Sequence, residues 1–451
     1  MLRDSATFNH VDRGPMILVY LPKKNTRVLY TFKHVFEGIL NIGVTLTNNL
    51  QEFVAFSGPK FSYGPKPLGK ELFFEAHSLL FELGVTEPEI EVQRWQELPV
   101  FFKVSQNSSL PFDLFAASFY LLSRYEEYQP HQVDSRGRFM PQQSLAMQHH
   151  FLDKPLVDLW AVKILEILQQ QFPELEQNTP KKPSFNPIFS VVSPYKFQLK
   201  SPVLLLWDLL GYIFRLQFWE LGDFWRVWFQ KQTDPHGHYQ ELREICKGLA
   251  KPPMLFFLFT PKGANDNGVS PFNPKYRALV KENADYIPTS LLLSFESQLQ
   301  PDRVADEIKL FNSAIHRSVK SVVMHRGIRQ MGDTYIGLAE AELQNDYSMS
   351  YPRLMGYRAS TAVPYYFYDL IHERLTFLKI HPVVATEEAL KELKPKQAFD
   401  RLQLLFDRLP TSSAQFCIHL SNRILNPQIK ESQWRRLFIN FIQTHAKATE
   451  G

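Results

Sequence analysis

This sequence has few cysteines and only a small excess of one charge over the other. Its 451 residues include two cysteines, Cys246 and Cys417, and neither belongs to a Cys-x-x-Cys pair. This excludes a disulfide framework and a cysteine zinc site, so we expect two buried free thiols. The 50 Lys and Arg residues against 46 Asp and Glu leave a formal charge of +4, too small a surplus to predict a nucleic acid partner.

Neither a secretory signal nor a membrane-spanning run is visible. Residues 1–10 have no apolar core and no small-residue cleavage site, so the cytoplasm is the expected location. The most apolar stretch, residues 203–229, contains Asp208, Glu220 and Asp223. Charges cost about 2.5–3.5 kcal/mol each at the centre of a bilayer. We therefore expect this stretch not to span a membrane but to pack on the fold or at a subunit interface, with peripheral membrane contact as the alternative.

Hydrophobic residues make up 44% of the chain, which is enough for a large core. The first part mixes strands and helices, and a polar, proline-bearing stretch follows between Gln171 and Pro187. Beyond it strands alternate with helices, which is typical of a parallel sheet or barrel. We predict an α/β chain with an N-terminal α/β domain, residues 1–185, followed by an irregular (β/α) barrel domain, residues 186–451. Among the predicted helices are residues 112–128, 156–172, 302–317, 364–374 and 396–409.

Short motifs that mark well-known active sites are absent. The chain has no Walker loop, no dinucleotide-binding glycine pattern, no nucleophile elbow and no His-Glu-x-x-His zinc motif. Two pairs of adjacent glutamates, Glu126 with Glu127 and Glu387 with Glu388, are predicted to be solvated because neighbours in a helix do not share a face.

Several longer motifs are more informative. They are Asn345–Tyr351 (Asn-Asp-Tyr-Ser-Met-Ser-Tyr), Gly356–Thr361 (Gly-Tyr-Arg-Ala-Ser-Thr), Pro364–Leu370, Ile380–Val383 and, in the first half, Phe115–Tyr128, Arg136–Phe139 and Lys154–Asp158. Together they resemble the polysaccharide deacetylase-like proteins of Bacteroidetes-type bacteria, in which a deacetylase barrel follows a family-specific N-terminal domain. The resemblance extends over most of the chain.

This resemblance implies a hydrolytic metal site from which the chain departs. In the family, one Asp and two His hold a divalent cation, a second Asp is the base, and a late His protonates the leaving group. Here Ser193 and Tyr195 occupy the two acid positions, Leu292 and Arg326 those of the metal-binding His, and Ser421 that of the catalytic His. Such side chains cannot supply the ligands of a divalent cation, so we expect no metal, no cofactor and no catalytic residue.

The chain is therefore interpreted as a pseudoenzyme. The leading hypothesis is a module that binds a glycan or a protein in cell-surface polysaccharide metabolism. Its pocket would lie at the carboxyl ends of the strands, with arginines as donors to an anion. Arg358 either forms an internal pair with Asp346 or Asp369 or binds a ligand's anion. The pocket candidates are Arg326, Arg358, Asp369, His381, Asn422, His325 and Tyr365, with Tyr366 as a second aromatic side chain.

Two further functions stay open. An active carbohydrate N- or O-deacetylase would need zinc or another divalent metal on displaced ligands, for which the nearby side chains are His325, His381, His419 and Asp369. A structural subunit of an envelope-associated complex would instead dock through residues 203–229.

The predicted domain boundary can be tested by limited proteolysis. The polar stretch around Pro183 is the weakly packed segment between strong helices and strands, so a protease should cut within about ten residues of Pro183. Mass spectrometry of the fragments locates the cut. A stable fragment that spans the stretch uncut would contradict the boundary.

Overall fold

The computed structural model describes residues 16–445 apart from 176–182, 201, 246, 248–250, 264, 267 and 427–431. Much of the predicted linker and Cys246 lie outside the described residues, whereas Cys417 is a buried free thiol. As predicted, none of the described helices is long and apolar enough to cross a membrane.

The N-terminal half is built on a small parallel sheet with the strand order β2-β1-β3-β4. Asn25, Asn49 and Asp113 begin the first three helices, because their side chains accept hydrogen bonds from the N–H groups of the first turn. The elements are β1 (Met16–Tyr20), α1 (Thr26–Phe32), continued by a π-helix (Lys33–Ile39), β2 (Gly43–Thr47), α2 (Leu50–Ala55), β3 (Lys60–Gly64), β4 (Phe73–Glu75), the hairpin strands β5 (Gln93–Trp95) and β6 (Leu98–Val100), α3 (Leu114–Leu122), α4 (Leu145–Gln148) and α5 (Leu156–Gln171).

The second half carries a nine-stranded sheet and the helices that surround it. Its elements are β7 (Ser184–Val191), α6 (Pro202–Phe214), α7 (Phe218–Phe229), α8 (Tyr239–Ile245), β8 (Met254–Leu258), α9 (Pro274–Tyr286), β9 (Thr289–Leu293), α10 (Phe295–Leu299), α11 (Asp302–Ile315), β10 (Ser321–Met324), α12 (Met331–Glu340), β11 (Asn345–Asp346), β12 (Tyr365–Asp369), β13 (Arg374–Ile380), β14 (Val383–Thr386), α13 (Glu387–Lys391), α14 (Pro395–Asp407), β15 (Gln415–Ser421) and α15 (Ser432–His445). The strand order is β12-β13-β11-β10-β9-β8-β7-β15-β14, and β12 is antiparallel to β13 at the edge.

This sheet curls round on itself. β13 lies beside one edge strand and β14 forms the other edge, yet only His381 and Pro382 join them. Such a connection spans no more than about 11 Å, so the two edges lie close together. The interior is filled by apolar side chains from six strands: Ile188, Phe256, Leu258, Leu292, Val323, Val383 and Cys417. The predicted α/β class with an irregular barrel is confirmed.

One predicted helix, residues 364–374, is wrong. The segment forms β12 and the start of β13, paired as an antiparallel hairpin. Tyr366 is exposed while Tyr365 and Phe367 are buried, which is the alternation of a strand. Aromatic side chains that pack on a sheet favour a strand over a helix here.

The helix predicted at residues 112–128 is shorter than expected. α3 ends at Leu122 because Arg124 takes a left-handed backbone conformation with φ of 53°. A 3-10 turn over Tyr125–Glu127 follows, and it brings Glu126 and Glu127 into the interior, where each is 7% exposed. The prediction that these two glutamates are solvated is therefore wrong.

Glu127 joins the two halves through a buried ion-pair cluster. Arg358 donates from Nε and Nη2 to the two carboxylate oxygens of Glu127, at 2.9 and 2.6 Å. Arg124 donates from Nε to Glu127 Oε1 at 2.8 Å and from Nη1 to the carbonyl oxygen of Arg358. Burial by itself raises the pKa of Glu127, but the two guanidinium groups outweigh it and hold that pKa at about 2.

Removal of Arg358 should destabilise the chain and change its acid sensitivity. Arg358→Ala leaves a buried carboxylate without its bidentate partner, and loss of one member of a buried pair costs about 3–5 kcal/mol. Chemical denaturation should show a lower free energy of unfolding by that amount.

The pH dependence gives a second readout of the same change. Glu127 has a pKa of about 2 when folded and an ordinary value of 4.5, so the folded state binds fewer protons between these values. Its stabilisation is complete above about pH 4.5 and is lost as the pH falls toward 2. Arg358→Ala should lose stability less steeply in that window. The control Arg94→Ala removes an exposed guanidinium and should behave like the wild type; a shared loss in both variants would contradict the assignment.

Candidate functional site

A cleft of about 490 Å³ opens where the parallel barrel strands end. Its walls include the last residues of β7, β10, β14 and β15 and the loops that follow those strands. The carboxyl end of a parallel barrel is where binding and catalytic side chains collect, because loops from several strands meet there. This cleft is therefore the candidate functional site.

The structure brings six of the sequence-predicted residues together at this cleft. The lining includes Ser193, His325, Arg326, His419, Ser421 and Asn422. Each of them lies near or just after the end of a parallel strand, so the direction of the strands places them at one edge.

Asn422 fixes one corner of the cleft. Its Nδ2 donates to the carbonyl oxygens of Ser193 and His236, at 3.1 and 3.0 Å. The amide thereby ties the end of β15 to the loop after β7. Leu292 lies below the cleft in the apolar barrel interior, and Tyr195 packs edge-on against Tyr239 instead of lining the cleft.

Arg358 and His381 do not lie in the cleft. Arg358 points into the cluster with Glu127, behind the wall formed by Ser350, whose carbonyl oxygen it contacts at 3.1 Å. His381 lies at the opposite end of the barrel, with Nε2 2.9 Å from Asn345 Oδ1 and Nδ1 3.1 Å from Gln415 Oε1. Those two partners begin β11 and β15, so the apolar interior separates His381 from the cleft.

Asp369 and Tyr365 are also absent from the cleft, since they belong to the antiparallel strand β12. That strand runs against the others, so its last residue, Asp369, lies at the amino end of the barrel, where it accepts from Arg374 Nε at 2.9 Å. Tyr365 is buried against His34 of the N-terminal half.

Neither predicted acidic partner of Arg358 contacts it. Asp346 instead accepts from the Tyr335 hydroxyl at 2.7 Å and from the Ser348 hydroxyl at 2.6 Å. The predicted ion pair between Arg358 and Asp346 or Asp369 is therefore wrong, and Glu127 takes that place.

The cleft is rich in positive charge. Five Arg or Lys side chains line it against Glu387 and Glu388, namely Arg136, Arg138, Arg326, Lys391 and Arg423. Arg138 pairs with Asp134 and Lys391 with Glu387, at 2.6 Å each. Among the described residues, no carboxylate lies within ion-pairing distance of the Arg326 guanidinium.

Arg326 is held in an unusual backbone conformation. Its φ of 66° lies in the left-handed region, and Gly327 follows with φ of 84°. Arg138 Nη1 donates to the carbonyl oxygen of Arg326 at 2.8 Å and fixes the turn. A non-glycine residue keeps such a conformation only where surrounding contacts impose it, and such residues concentrate at functional sites.

Glu387 forms the wall opposite and is buried, so its predicted solvation is wrong, whereas Glu388 is exposed. Glu387 Oε2 accepts from the N–H and hydroxyl of Ser421 at 2.7 and 2.5 Å, and Glu387 Oε1 accepts from Lys391 Nζ at 2.6 Å. Burial raises the pKa of Glu387, but Lys391 and Ser421 outweigh it and lower that pKa. The carboxylate is thus ionised and already engaged.

Two histidines complete the cleft. His325 Nδ1 lies 2.8 Å from Asp266 Oδ1, and Asp266 also accepts from the N–H groups of Phe295 and Glu296 at 3.0 Å. Burial lowers the pKa of His419 to about 4, so its imidazole is neutral at pH 7. Sequence reasoning missed Asp266, for which the one available signal was its place in the loop after a predicted buried strand.

These side chains do not fit a divalent metal. Within the described part of the chain, no three His, Cys, Asp or Glu side chains converge as ligands. Glu387 is engaged with Lys391 and Ser421, and Arg326 adds positive charge beside His325. A hydrolytic metal needs three protein ligands and an open position, which this arrangement does not supply.

Comparison with known proteins gives a match in the first half. Residues 17–173 match a family described as "Family of unknown function (DUF7033)". No curated protein sequence matches the chain.

Three solved structures show a weak similarity to the chain. A putative polysaccharide deacetylase from Mycobacterium smegmatis is 11% identical with a TM-score of 0.34, over 58% of this chain and 88% of the other. A mutant of a CE4 family pseudoenzyme with restored enzymatic activity is 8% identical with a TM-score of 0.29, over 59% and 65%. Puue allantoinase is 10% identical with a TM-score of 0.34, over 58% and 84%. Likenesses this weak say nothing of activity, and the fold class rests on the strand order of the chain itself.

We expect the purified protein to bind no stoichiometric metal. After incubation with zinc or cobalt and removal of the excess, elemental analysis should give well under one ion per chain, because three convergent ligands are missing from the described residues. Acetylated chito-oligosaccharides should remain acetylated. Stoichiometric metal, together with turnover that a chelator abolishes, would contradict the expectation and favour an active deacetylase with displaced ligands.

Proposed function

We propose that the cleft binds a small anionic saccharide, such as a uronic acid or a phosphosugar, without hydrolysing it. The observation that carries this proposal is the Arg326 guanidinium, which lines the cleft without a carboxylate partner among the described residues. A guanidinium offers a planar fork of donors that matches a carboxylate or a phosphate.

The rest of the lining supports a ligand rich in hydroxyl groups. The polar lining includes Ser190, Ser193, Ser348, Thr386 and Asn422. Their hydroxyl and amide donors bond within the protein, so these side chains offer acceptor oxygens to the hydroxyl groups of a sugar. A volume of about 490 Å³ is in the range of small-molecule pockets. No Phe, Tyr or Trp is among the described lining residues, so recognition would depend on charge and hydrogen bonds rather than on the ring stacking expected of Tyr365 or Tyr366.

The side chains of the cleft offer no complete set of groups for hydrolysis. Ser421, at the position where the motif resemblance implies a catalytic acid, donates its hydroxyl to Glu387. His325 is bonded to Asp266, and no metal ligand set accompanies it in the described residues. We therefore propose an inactive homologue of the deacetylases; the setting in cell-surface polysaccharide metabolism rests on the motif resemblance alone.

Calorimetric titration tests this function with matched ligands. Glucuronate and glucose 6-phosphate should bind, whereas neutral glucose should bind at least tenfold more weakly because it offers no charge to Arg326. Arg326→Ala should weaken binding of the charged sugars at least tenfold, which corresponds to about 1.4 kcal/mol. Arg326→Lys, which keeps the charge but loses the fork, should fall between the two.

Two controls separate the cleft from general charge effects. Arg353→Ala removes an arginine that is 74% exposed and lies outside the cleft lining, so it should leave the affinity unchanged. Inorganic phosphate should bind more weakly than glucose 6-phosphate. Equal affinity for the two, or equal binding by Arg326→Ala, would contradict saccharide recognition.

A further inference from the structure

The helices α6 and α7 form a hairpin that exposes aromatic side chains. We call residues 202–229 the aromatic hairpin. Trp207, Phe214, Phe218, Trp225 and Phe229 are between 56% and 84% exposed. α6 buries none of its residues, so the expectation that this stretch packs on the barrel is wrong for most of its apolar surface. Large exposed apolar patches on a folded protein mark interaction surfaces.

The acidic side chains of the aromatic hairpin are all paired. Asp208 lies 2.6 Å from Lys200, and Glu220 pairs with Lys196. Asp223 is buried, at 3.5 Å from Arg226 and 3.9 Å from Lys196. Lys196 and Lys200 belong to the segment that leads from β7 into α6, so these pairs hold the acids toward the body of the protein. The outward apolar face carries no unpaired negative charge.

The tip of the aromatic hairpin combines apolar side chains with one cation. Phe214, Leu216 and Phe218 are 84%, 67% and 60% exposed, and Arg215 lies exposed among them. Leu216 closes the turn with φ of 54°. Exposed apolar side chains and an exposed cation are thus neighbours at the turn of the hairpin.

We infer that the aromatic hairpin seats on a membrane surface that contains anionic lipid. Tryptophan and phenylalanine rings favour the boundary between headgroups and acyl chains, and arginine favours anionic headgroups. α6 and α7 have 13 and 12 residues, too few to cross a bilayer but enough to lie in its interface. Because Asp208, Glu220 and Asp223 form ion pairs, their carboxylates oppose the approach to anionic headgroups less than free carboxylates would.

The aromatic hairpin lies next to the cleft along the chain. It connects β7 to β8, so it leaves the barrel at the carboxyl end, where the cleft opens. Ser193 lines the cleft and Lys196 pairs with the hairpin three positions later. A membrane-seated hairpin would therefore keep the cleft near the membrane surface, whichever ligand the cleft binds.

Vesicle binding tests the inference on the full chain. Four of the seven tryptophans lie in the hairpin, Trp207, Trp219, Trp225 and Trp228, so their fluorescence reports its contacts. Vesicles of phosphatidylcholine with phosphatidylglycerol should float the protein, shift its emission to the blue, and quench it when the lipids are brominated. Binding should rise with the phosphatidylglycerol fraction and weaken with salt.

Matched variants locate the contact. Phe214→Glu combined with Phe218→Glu should reduce the vesicle-bound fraction at least tenfold. Phe272→Glu combined with Phe377→Glu changes two side chains that are 68% and 81% exposed elsewhere, and should leave binding unchanged. Arg215→Glu should selectively weaken binding to the anionic vesicles.

Failure of the inference would be distinct from failure of the proposed sugar binding. Lack of flotation at every phosphatidylglycerol fraction would overturn it, even if glucuronate still binds. A concentration-dependent dimer that Phe214→Glu with Phe218→Glu abolishes, without vesicle binding, would assign the hairpin to a second copy of the chain and also overturn it.

Discussion

The buried carboxylate of Glu127 is the constraint on which the arrangement of the two halves depends. It accepts from Arg358 of the barrel and from Arg124 of its own half, and Arg124 also reaches the carbonyl oxygen of Arg358. Separation of the halves would leave these charges buried without partners or expose the core around them, and either change is costly. Arg358 also donates to the carbonyl oxygen of Ser350, which lines the cleft, so the cluster between the halves also fixes one wall of the candidate site.

Much of the fold could be predicted because runs of apolar residues report buried parallel strands directly. Ser193, Arg326 and Ser421 were named from the motif resemblance, and they line one cleft because residues that follow parallel strands meet at the carboxyl end of a sheet. Sequence reasoning failed where the direction of a strand or the partner of a side chain does not depend on neighbouring residues. β12 reverses direction and carries Asp369 to the other end of the barrel. The bond between Arg358 and Glu127 joins positions 231 residues apart, and neither motif indicates the other.

Two sets of glutamates show a second limit of sequence reasoning. Adjacent glutamates in a helix are usually solvated, and Glu388 follows that rule. Glu127 and Glu387 break it because other side chains donate to their carboxylates. The donor to Glu127 is the Arg358 guanidinium, and the donors to Glu387 are the Lys391 ammonium and the neutral Ser421 hydroxyl. Burial of a carboxylate is decided by such partners, which a pattern of neighbouring residues does not contain.

The arginine at position 326 favours an anion over a cation in the cleft. The motif resemblance implies a metal-binding histidine there, whereas arginine repels a cation and offers a fork to an anion. Arg326 has a left-handed backbone conformation, and Arg138 donates a hydrogen bond to its carbonyl oxygen. Neither feature is needed by a surface arginine that only adds solubility. The backbone conformation and this hydrogen bond fix the turn from which the Arg326 side chain lines the cleft, and no carboxylate of the described residues lies within ion-pairing distance of its guanidinium. A ligand that balances the charge of Arg326 would therefore be an anion, as the proposed function requires.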